Sequence, residues 1–462
     1  MRPPKEKLPL LVEVPKSVIE PPSNNEMDEI NSEAKVVSVG KGPQVFYVIF
    51  LLMCLVQFSM AWIWKTPEFA DLDGNRADKT FGVPFQYSIW ALIISIFMVN
   101  FFQERLQYAW RVLIPLLPFW LIGCFAGVIG FNPITSFRSL TMWMAMALAA
   151  SLIGINLPKK VALRALFYGF FLICLCSIAL AVLNPEKGTQ DYGADIGVWR
   201  GMFLTKNQFG WVAAIGLVFA LSAYRALPKY WREVMISIAF VSLIMSKSAG
   251  ATLSALGAFG YSVWLRNLPL TISLEKASII FLASVTSISV LFFTSFTSVL
   301  EMFGRDATLT GRTGIWAAYL GEIVKSPIIG RGPGAFTDVS PYTMPLALKL
   351  IDDGSIFTPH QMYIAAFGDA GILGLISFLA VLFYFVFVVP ISQRGIVTHV
   401  SAAVCMLIML GGLMETHEVY RTGVGFFTLI FLRAVYLNKD DKKPKFKPSL
   451  SKKPKSNMKA LD

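Results

Sequence analysis

Charged residues are scarce in this sequence, and their scarcity limits the kind of protein it can encode. Only 15% of the 462 residues are charged, whereas 55% are hydrophobic. Soluble proteins carry roughly 25% charged and about 45–50% apolar residues. A soluble core cannot absorb this much apolar surface at this length, so the composition excludes a soluble globular protein. It predicts an all-α polytopic membrane protein instead.

Cysteine and histidine are also few. The five cysteines fall inside apolar runs and form no CxxC pair, so we interpret them as packing residues rather than disulfides or metal ligands. The three histidines are far apart, and no group of His, Cys and Asp has the spacing of metal ligands. We therefore expect no metal and no cofactor.

Basic residues are concentrated at the end of the chain. The net charge is +12, and nine lysines lie among the last 24 residues. Lysines beside a membrane span mark its cytoplasmic side, so this charge does not indicate nucleic acid. We expect residues 1–42, which are polar and contain proline, to form a disordered cytoplasmic arm. Residues 43–438 are then the transmembrane domain, and residues 439–462 are a basic cytoplasmic tail.

Apolar runs predict about twelve transmembrane helices. The longer runs approach the ~20 residues needed to cross the hydrocarbon. The seventh and eighth runs are short and form either a tight hairpin or a break near the membrane surface. The runs are 44–64, 84–102, 112–131, 139–157, 163–183, 208–226, 234–246, 251–265, 277–294, 363–390, 399–414 and 423–437.

The distribution of Lys and Arg between the loops predicts the orientation. If the N-terminus is cytoplasmic, the short inner loops hold 11 Lys/Arg in 45 residues and the outer segments hold 14 in 129. Basic residues prefer cytoplasmic loops, so this orientation is favoured. Both termini are then cytoplasmic, and the long loop between spans 9 and 10, residues 295–361, is periplasmic.

The 295–361 loop is the one long polar insert, and it predicts interfacial helices. In a helix over 312–324, Arg312, Trp316, Tyr319 or Leu320, and Ile323 share one face, which lies on lipid or on the helix bundle. An enzyme on this side has no ATP, so it must use an energised substrate in the membrane. Arginine suits a lipid diphosphate because its planar fork meets phosphate oxygens bidentately. The alternative is that Arg312 only reaches ordinary headgroups.

Four stretches resemble the O-antigen ligase/polymerase superfamily. They are Arg200-Gly-Met-Phe-Leu-Thr-Lys-Asn-Gln-Phe-Gly210, Gly304-Arg-Asp-Ala-Thr-Leu-Thr-Gly-Arg-Thr-Gly-Ile-Trp316, Ser326-Pro-Ile-Ile-Gly-Arg-Gly-Pro-Gly-Ala-Phe336, and Pro359-His-Gln-Met-Tyr363 with Gly371-Ile-Leu-Gly374. The doubled Gly-Arg phrase resembles the exopolysaccharide-polymerase branch more than the ligases. The set in this order is specific, whereas any one piece alone is not.

The resemblance implies a metal-independent glycosyl transfer at the periplasmic face of a bacterial inner membrane. The donor would be a polyprenyl-diphosphate-linked oligosaccharide, and polysaccharide chain-length and export proteins are possible partners. Arg312 would bind the diphosphate, and His360 would lie beside the acceptor hydroxyl. Lys247 stands where many members have Arg, which keeps the charge but loses the bidentate geometry. The further candidate substrate-binding residues are Arg200, Lys206, Asn207, Arg305, Arg331, Glu415 and His417.

The residues also fit this reaction chemically. Preorganised cations stabilise a leaving diphosphate, and a histidine, with an ordinary pKa near ~6.5, can remove a proton from an acceptor hydroxyl. His360 could instead be a helix-cap or interfacial residue. His417 is a second candidate, beside two carboxylates that could orient it or bind the acceptor. His399 flanks a cytoplasmic turn and is interpreted as structural.

Three alternatives remain open. Asp71 and Asp73 have the DxD spacing of metal-dependent glycosyltransferases, although their charged neighbours favour a solvated loop. A ligase would move a finished glycan to a lipid or protein acceptor. A lipid-linked-oligosaccharide flippase would carry charges inside its spans and often shows repeated halves. The predicted spans carry their strong charges at the ends, and no repeat is found, which favours an enzyme.

Overall fold

The computed structural model describes most of the chain between residues 41 and 438. The described residues are 41–61, 82–102, 106–190, 195–269, 272–281, 283, 287, 312–337, 342–343, 345–346, 358–416 and 418–438. Within these ranges the secondary structure is helical, apart from one isolated bridge between Thr189 and Trp199. An all-α fold is what a membrane chain requires, because a helix satisfies every backbone polar group internally.

Most of the described residues lie in helices. They are α1 Lys41–Ser59, α2 Gly82–Phe102, α3 Leu106–Leu113, α4 Leu117–Ile129, α5 Pro133–Asn156, α6 Lys159–Leu183, α7 Pro185–Gly188, α8 Lys206–Ser222, α9 Lys229–Met245, α10 Ala249–Asn267, α11 Arg312–Ile323, α12 Met362–Phe383, α13 Val389–Ser392, α14 Ile396–Gly411 and α15 Val424–Leu437. A 3₁₀ turn joins α3 to α4, and a π-helical turn, Tyr384–Val388, joins α12 to α13.

Most of the predicted spans coincide with helices, but not all of these helices are long enough to cross a bilayer. Four continuous helices have both the length and the apolarity to cross: Leu106–Ile129, Pro133–Asn156, Lys159–Leu183 and Met362–Ser392. Shorter apolar helices include Ile396–Gly411 and Val424–Leu437. The ninth predicted span, 277–294, lies mostly outside the described residues. The chain is a multi-pass, helical membrane protein, and twelve crossings stay a prediction.

Contacts join the segments that were predicted to share the outer side. Asn207 in the first turn of α8 bonds Glu415 after α14, and the amide of Phe131 after α4 donates to the carbonyl of Arg331. We call this end of the bundle, where His360 also lies, the His360 end. At the opposite end, Asn156 bonds Asn100 in a buried contact.

Helix α12 is broken near its middle. Ala370 and Gly371 leave helical geometry, and Gly371 has φ +65°. A β-carbon on Gly371 would lie 2.1 Å from the carbonyl oxygen of Ile328, so glycine is required both for the backbone conformation and for this close approach. The break lets residues 326–332 cross α12 at Gly368–Gly371.

Candidate functional site

His360, Glu415 and Asn207 form a polar cluster at the His360 end. His360 Nδ1 lies 3.4 Å from Glu415 Oε2, and Asn207 Nδ2 donates to Glu415 Oε1 at 2.9 Å. His360 and Glu415 are both partly exposed, with 31% and 16% of their side chains accessible. The tautomer of His360 with its proton on Nδ1 donates to Glu415 and leaves Nε2 free to accept a proton. The cluster is thus a histidine whose orientation is fixed by a carboxylate, which an amide holds in turn.

The chain holds His360 in a constrained turn. His360 has φ +48°, a conformation that is uncommon for residues other than glycine. Gln361 caps α12 by accepting from the amide of Ile364 at 2.6 Å. The amide of Met362 donates to the carbonyl of Gly412 at 2.7 Å. These bonds tie the start of α12 to the end of α14, and so they bring His360 to Glu415.

Helix α11 brings Arg312 to the same region. Trp316 donates from its indole nitrogen to the carbonyl of Pro359 at 3.0 Å, directly before His360. Arg312 begins α11, four residues before Trp316, so its backbone lies one helical turn away. The side chain of Arg312 lies outside the described residues. The structure therefore places the start of α11, but not the guanidinium, near His360.

The apolar face of α11 packs on protein. Ile315, Tyr319 and Ile323 are buried against Phe336 and the first turns of α12, whereas Leu320 is exposed. The sequence left open whether this face lies on lipid or on the helix bundle, and in the structure it lies on the bundle. The buried residues follow the spacing i, i+4, i+8 from Ile315, whereas the predicted face began with Arg312 and Trp316. The two faces therefore differ at the N-terminal end of the helix, and Trp316 lies at the edge of the buried face.

A small cavity lies behind Glu415. It has room for about one water molecule at most and is lined by Trp211, Met362, Ile408, Gly411, Gly412, Glu415 and Glu418. Glu418 is buried and accepts from Trp211 Nε1 at 3.1 Å and from the amides of Gly425 and Phe426. Burial raises the pKa of Glu418, while these donors act in the opposite direction. Glu418 holds the turn between α14 and α15 in place behind the cluster.

Lys247 lies in the turn between α9 and α10. This residue is exposed and has φ +46°, and Ser246 and Ser248 on either side are buried. The turn packs on α8 at Gly210, where an added β-carbon would lie 2.7 Å from Ser246 Oγ. Gly210 lies one turn after Asn207. Lys247 is therefore an exposed cation on a turn that contacts the helix carrying Asn207.

Arg200 and Lys206 make contacts within the protein. Arg200 is 2% exposed and donates from Nε to the carbonyl of Lys187 at 3.2 Å. The Lys206 ammonium lies 2.5 Å from the carboxylate of Asp195. Both side chains stabilise the fold of the segment before α8, and their part in substrate binding stays a prediction.

Arg331 belongs to a glycine-rich segment, residues 330–337, that lies against α12. Its guanidinium lies over the ring of Tyr342, 5.4 Å from the centroid. It lines a second, narrow cleft with Phe131, Asn132, Thr135, Ser136, Pro333, Gly334 and Ala335. None of these residues belongs to the His360 cluster. Substrate binding by Arg331 stays a prediction.

Asp369 holds the glycine-rich segment, and the sequence reasoning missed it. It is fully buried in α12, and its carboxylate accepts from the amides of Gly334 and Phe336 and from the hydroxyl of Thr337. The expectation that strong charges lie only at span ends was wrong for this residue. An acid inside an otherwise apolar run was the available signal.

Three candidates cannot be placed. Arg305 and His417 lie outside the described residues, as do Asp71 and Asp73 of the DxD pair.

Two comparisons with known proteins bear on this site. Residues 234–379 match the sequence model of the O-antigen ligase family. The chain is 24% identical over 315 residues to the exopolysaccharide production protein ExoQ of Rhizobium meliloti (strain 1021), covering 64% of this chain and 68% of that protein. Together they confirm the resemblance to the O-antigen ligase/polymerase superfamily. The family match includes Lys247, Arg312 and His360, while Asn207 and Glu415 lie outside it.

Proposed function

We propose that this relative of the O-antigen ligases and of ExoQ is a glycosyltransferase that polymerises lipid-linked repeat units. The donor is an oligosaccharide on a polyprenyl diphosphate, and the reaction takes place at the periplasmic face of a bacterial inner membrane. The product is an exopolysaccharide or O-antigen. Polysaccharide chain-length and export proteins are the partners we expect.

The observation that carries this proposal is the convergence of His360, Glu415 and the start of α11. A glycosyl transfer from a diphosphate needs a base for the acceptor hydroxyl and a cation for the leaving group. His360, oriented by Glu415 at 3.4 Å, is suited to be the base. Arg312, one turn from the Trp316–Pro359 bond, is suited to be the cation.

In the proposed reaction, Nε2 of His360 takes the proton from an acceptor sugar hydroxyl. The hydroxyl oxygen forms a bond to the anomeric carbon of the donor, and the bond from that carbon to the diphosphate oxygen breaks. Arg312 stabilises the negative charge on the departing polyprenyl diphosphate. Glu415 stabilises the imidazolium that forms, because its carboxylate accepts a hydrogen bond from Nδ1–H while the proton stays on the ring.

Deletion of the gene distinguishes a polymerase from a ligase. We expect single lipid-linked repeat units to accumulate and polymer to be lost. The family name "O-antigen ligase" favours the second candidate, a ligase that moves a finished glycan to a lipid or protein acceptor. In that case finished lipid-linked polymer would accumulate instead. The name of the ExoQ relative, an exopolysaccharide production protein, favours the polymerase.

Transport of lipid-linked oligosaccharide is the third possibility. This possibility is tested by incubating the purified protein with lipid-linked donor in detergent. Detergent solution has no two compartments between which a lipid could be moved, and a flippase forms no glycosidic bond. Formation of longer lipid-linked glycan supports the transferase. Its absence with a folded protein and a competent donor, together with repeat units trapped on the cytoplasmic leaflet of the deletion strain, would favour the transporter.

The same assay tests metal independence. We expect activity to persist in EDTA, and the Asp71→Ala/Asp73→Ala double variant to remain active. Loss of activity with chelator and its return with Mg²⁺ or Mn²⁺ would instead assign a metal to the DxD pair.

A further inference from the structure

We propose that Asp369 is a positioning residue of the site, because its carboxylate fixes the glycine-rich segment and, through that segment, α11 relative to α12. The kinetic part of this inference rests on the proposed function. The structural part can be measured without any substrate.

The contacts of Asp369 are those of a fully used buried carboxylate. Oδ2 accepts from the amide of Gly334 at 3.0 Å and from Thr337 Oγ1 at 2.7 Å, and Oδ1 accepts from the amide of Phe336 at 2.6 Å. Asp369 is 0% exposed. A buried charge is tolerated only where hydrogen bonds replace its water. Asparagine cannot reproduce the set, because its amide nitrogen would face groups that donate.

Backbone bonds join the two elements at the same place. The amide of Arg331 donates to the carbonyl of Gly368 at 2.9 Å, and the amide of Gly332 donates to the carbonyl of Asp369 at 2.8 Å. Three residues after Asp369, the amide of Ile372 donates to the carbonyl of Pro327 at 2.8 Å. The break in α12 frees these carbonyls and this amide for the segment. The crossing is therefore held by backbone hydrogen bonds and also by the side chain of Asp369.

The segment in turn supports α11. The ring of Phe336 meets the ring of Tyr319 edge-on, with centroids 5.9 Å apart. One turn before Tyr319, Trp316 donates to Pro359 beside His360. Helix α11 therefore rests on the segment at Tyr319 and contacts the turn carrying His360 near its start. A shift of the segment moves Arg312 relative to His360.

Such a shift would reduce the rate more than donor binding. A displacement of about 1 Å of reacting groups costs on the order of 10²-fold in rate. We expect Asp369→Asn to lower kcat by about 10–100-fold, with the KM for the donor changed less than about threefold. Thr337→Val removes one of the three bonds and should give a smaller loss of the same kind. Thr337→Ser keeps the hydroxyl and should restore the rate.

Hydrogen exchange on the purified full-length protein in detergent is the independent measurement. The amides of Gly334 and Phe336 donate to Asp369, so their exchange should be faster in Asp369→Asn and in Thr337→Val. Faster exchange should extend to α11, while α9 exchanges as in the wild type. Glu322→Gln is the matched control, since it removes an acid from α11 that makes no bond to the segment backbone, and exchange at Gly334 and Phe336 should not change.

Each outcome of these measurements either supports or overturns the inference. Unchanged exchange at Gly334 and Phe336 overturns the inference whatever the kinetics show. Faster exchange with unchanged kcat also overturns it, because the contact would then be only structural. If Asp369→Asn does not fold, Thr337→Val and Thr337→Ser decide in its place. If the wild type transfers no glycan, the proposed function fails, and faster exchange in both the segment and α11 still supports the positioning of α11 against α12.

Discussion

His360 is held by bonds on both sides of it in the chain. Pro359 accepts from Trp316, and Met362 donates to Gly412, while the imidazole itself faces Glu415. A side chain oriented this way gives catalysis a base at a fixed position. The backbone of His360, at φ +48°, shows that the surrounding bonds maintain a conformation which the isolated residue would rarely adopt.

We expect His360→Ala to lose about 10²–10⁴-fold in transfer, which is the usual contribution of general base catalysis. Donor binding should survive, because the diphosphate is held elsewhere. The measurements are the transfer rate of the variant relative to the wild type and its binding of the lipid diphosphate.

His399→Asn, in α14, is the control and should keep both activities. An inactive His360→Ala that also fails to bind donor would make His360 a structural or phosphate-binding residue. A fully active one would remove the base from the mechanism, and Glu415 and His417 would be tested next.

Arg312 provides the second prediction at this scale. Arg312→Ala should abolish polymer formation, and Arg312→Lys should rescue poorly, because lysine loses the planar fork that meets two phosphate oxygens. Arg138→Lys is the control: Arg138 is an exposed arginine on α5 at the same end of the bundle. Full activity of the lysine variant would reduce Arg312 to a point charge, and full activity of Arg312→Ala at normal expression would exclude it.

At the scale of elements, the break in α12 is the feature whose stability we expect to be most sensitive to mutation. Gly371→Ala should be destabilising, because its β-carbon would lie 2.1 Å from the carbonyl oxygen of Ile328 and its φ is +65°. With ψ −168°, this backbone conformation is essentially restricted to glycine and costs on the order of 1–3 kcal/mol for other residues. The thermal unfolding midpoint in detergent should therefore fall, and the exchange of residues 326–332 should rise.

Gly321→Ala is the matched substitution on α11, where an added β-carbon meets nothing within 4 Å. Alanine is favoured over glycine in a helix by roughly 0.5–1 kcal/mol, so the midpoint should stay or rise. Equal effects of the two substitutions would contradict the importance of the break.

The same elements show how much of the fold could be predicted from the sequence. Hydropathy located α5, α6 and α12, because an apolar run in a membrane has almost no alternative to a helix. It also anticipated the helix from Arg312. It did not reveal the bond from Asn207 to Glu415, which joins residues 208 apart, because hydropathy and motif spacing are local. For the same reason the sequence did not single out Asp369, because its role depends on hydrogen-bond donors 32 to 35 residues earlier in the chain.

At the scale of the whole molecule, the orientation is testable by fusion. A reporter placed near Asp338 should read periplasmic, and one after Lys443 cytoplasmic, because inner loops carry the higher density of Lys and Arg. Alkaline phosphatase and a fluorescent protein give complementary signals at the two positions. The same side for both fusions would overturn the even number of spans.

The long separation between Asn207 and Glu415 has a consequence for synthesis. At roughly 5–20 residues per second, Asn207 leaves the ribosome about 10–40 s before its partner. Trp211, on the same helix, waits a similar time for Glu418, 207 residues later. Helix α8 therefore enters the bilayer with an amide and an indole N–H that have not yet met the acceptors of the finished protein. The segment that follows α14 completes the site, so a nascent chain released before the end of α14 carries His360 and Arg312 but lacks Gly412 and Glu415, the partners of Met362 and His360.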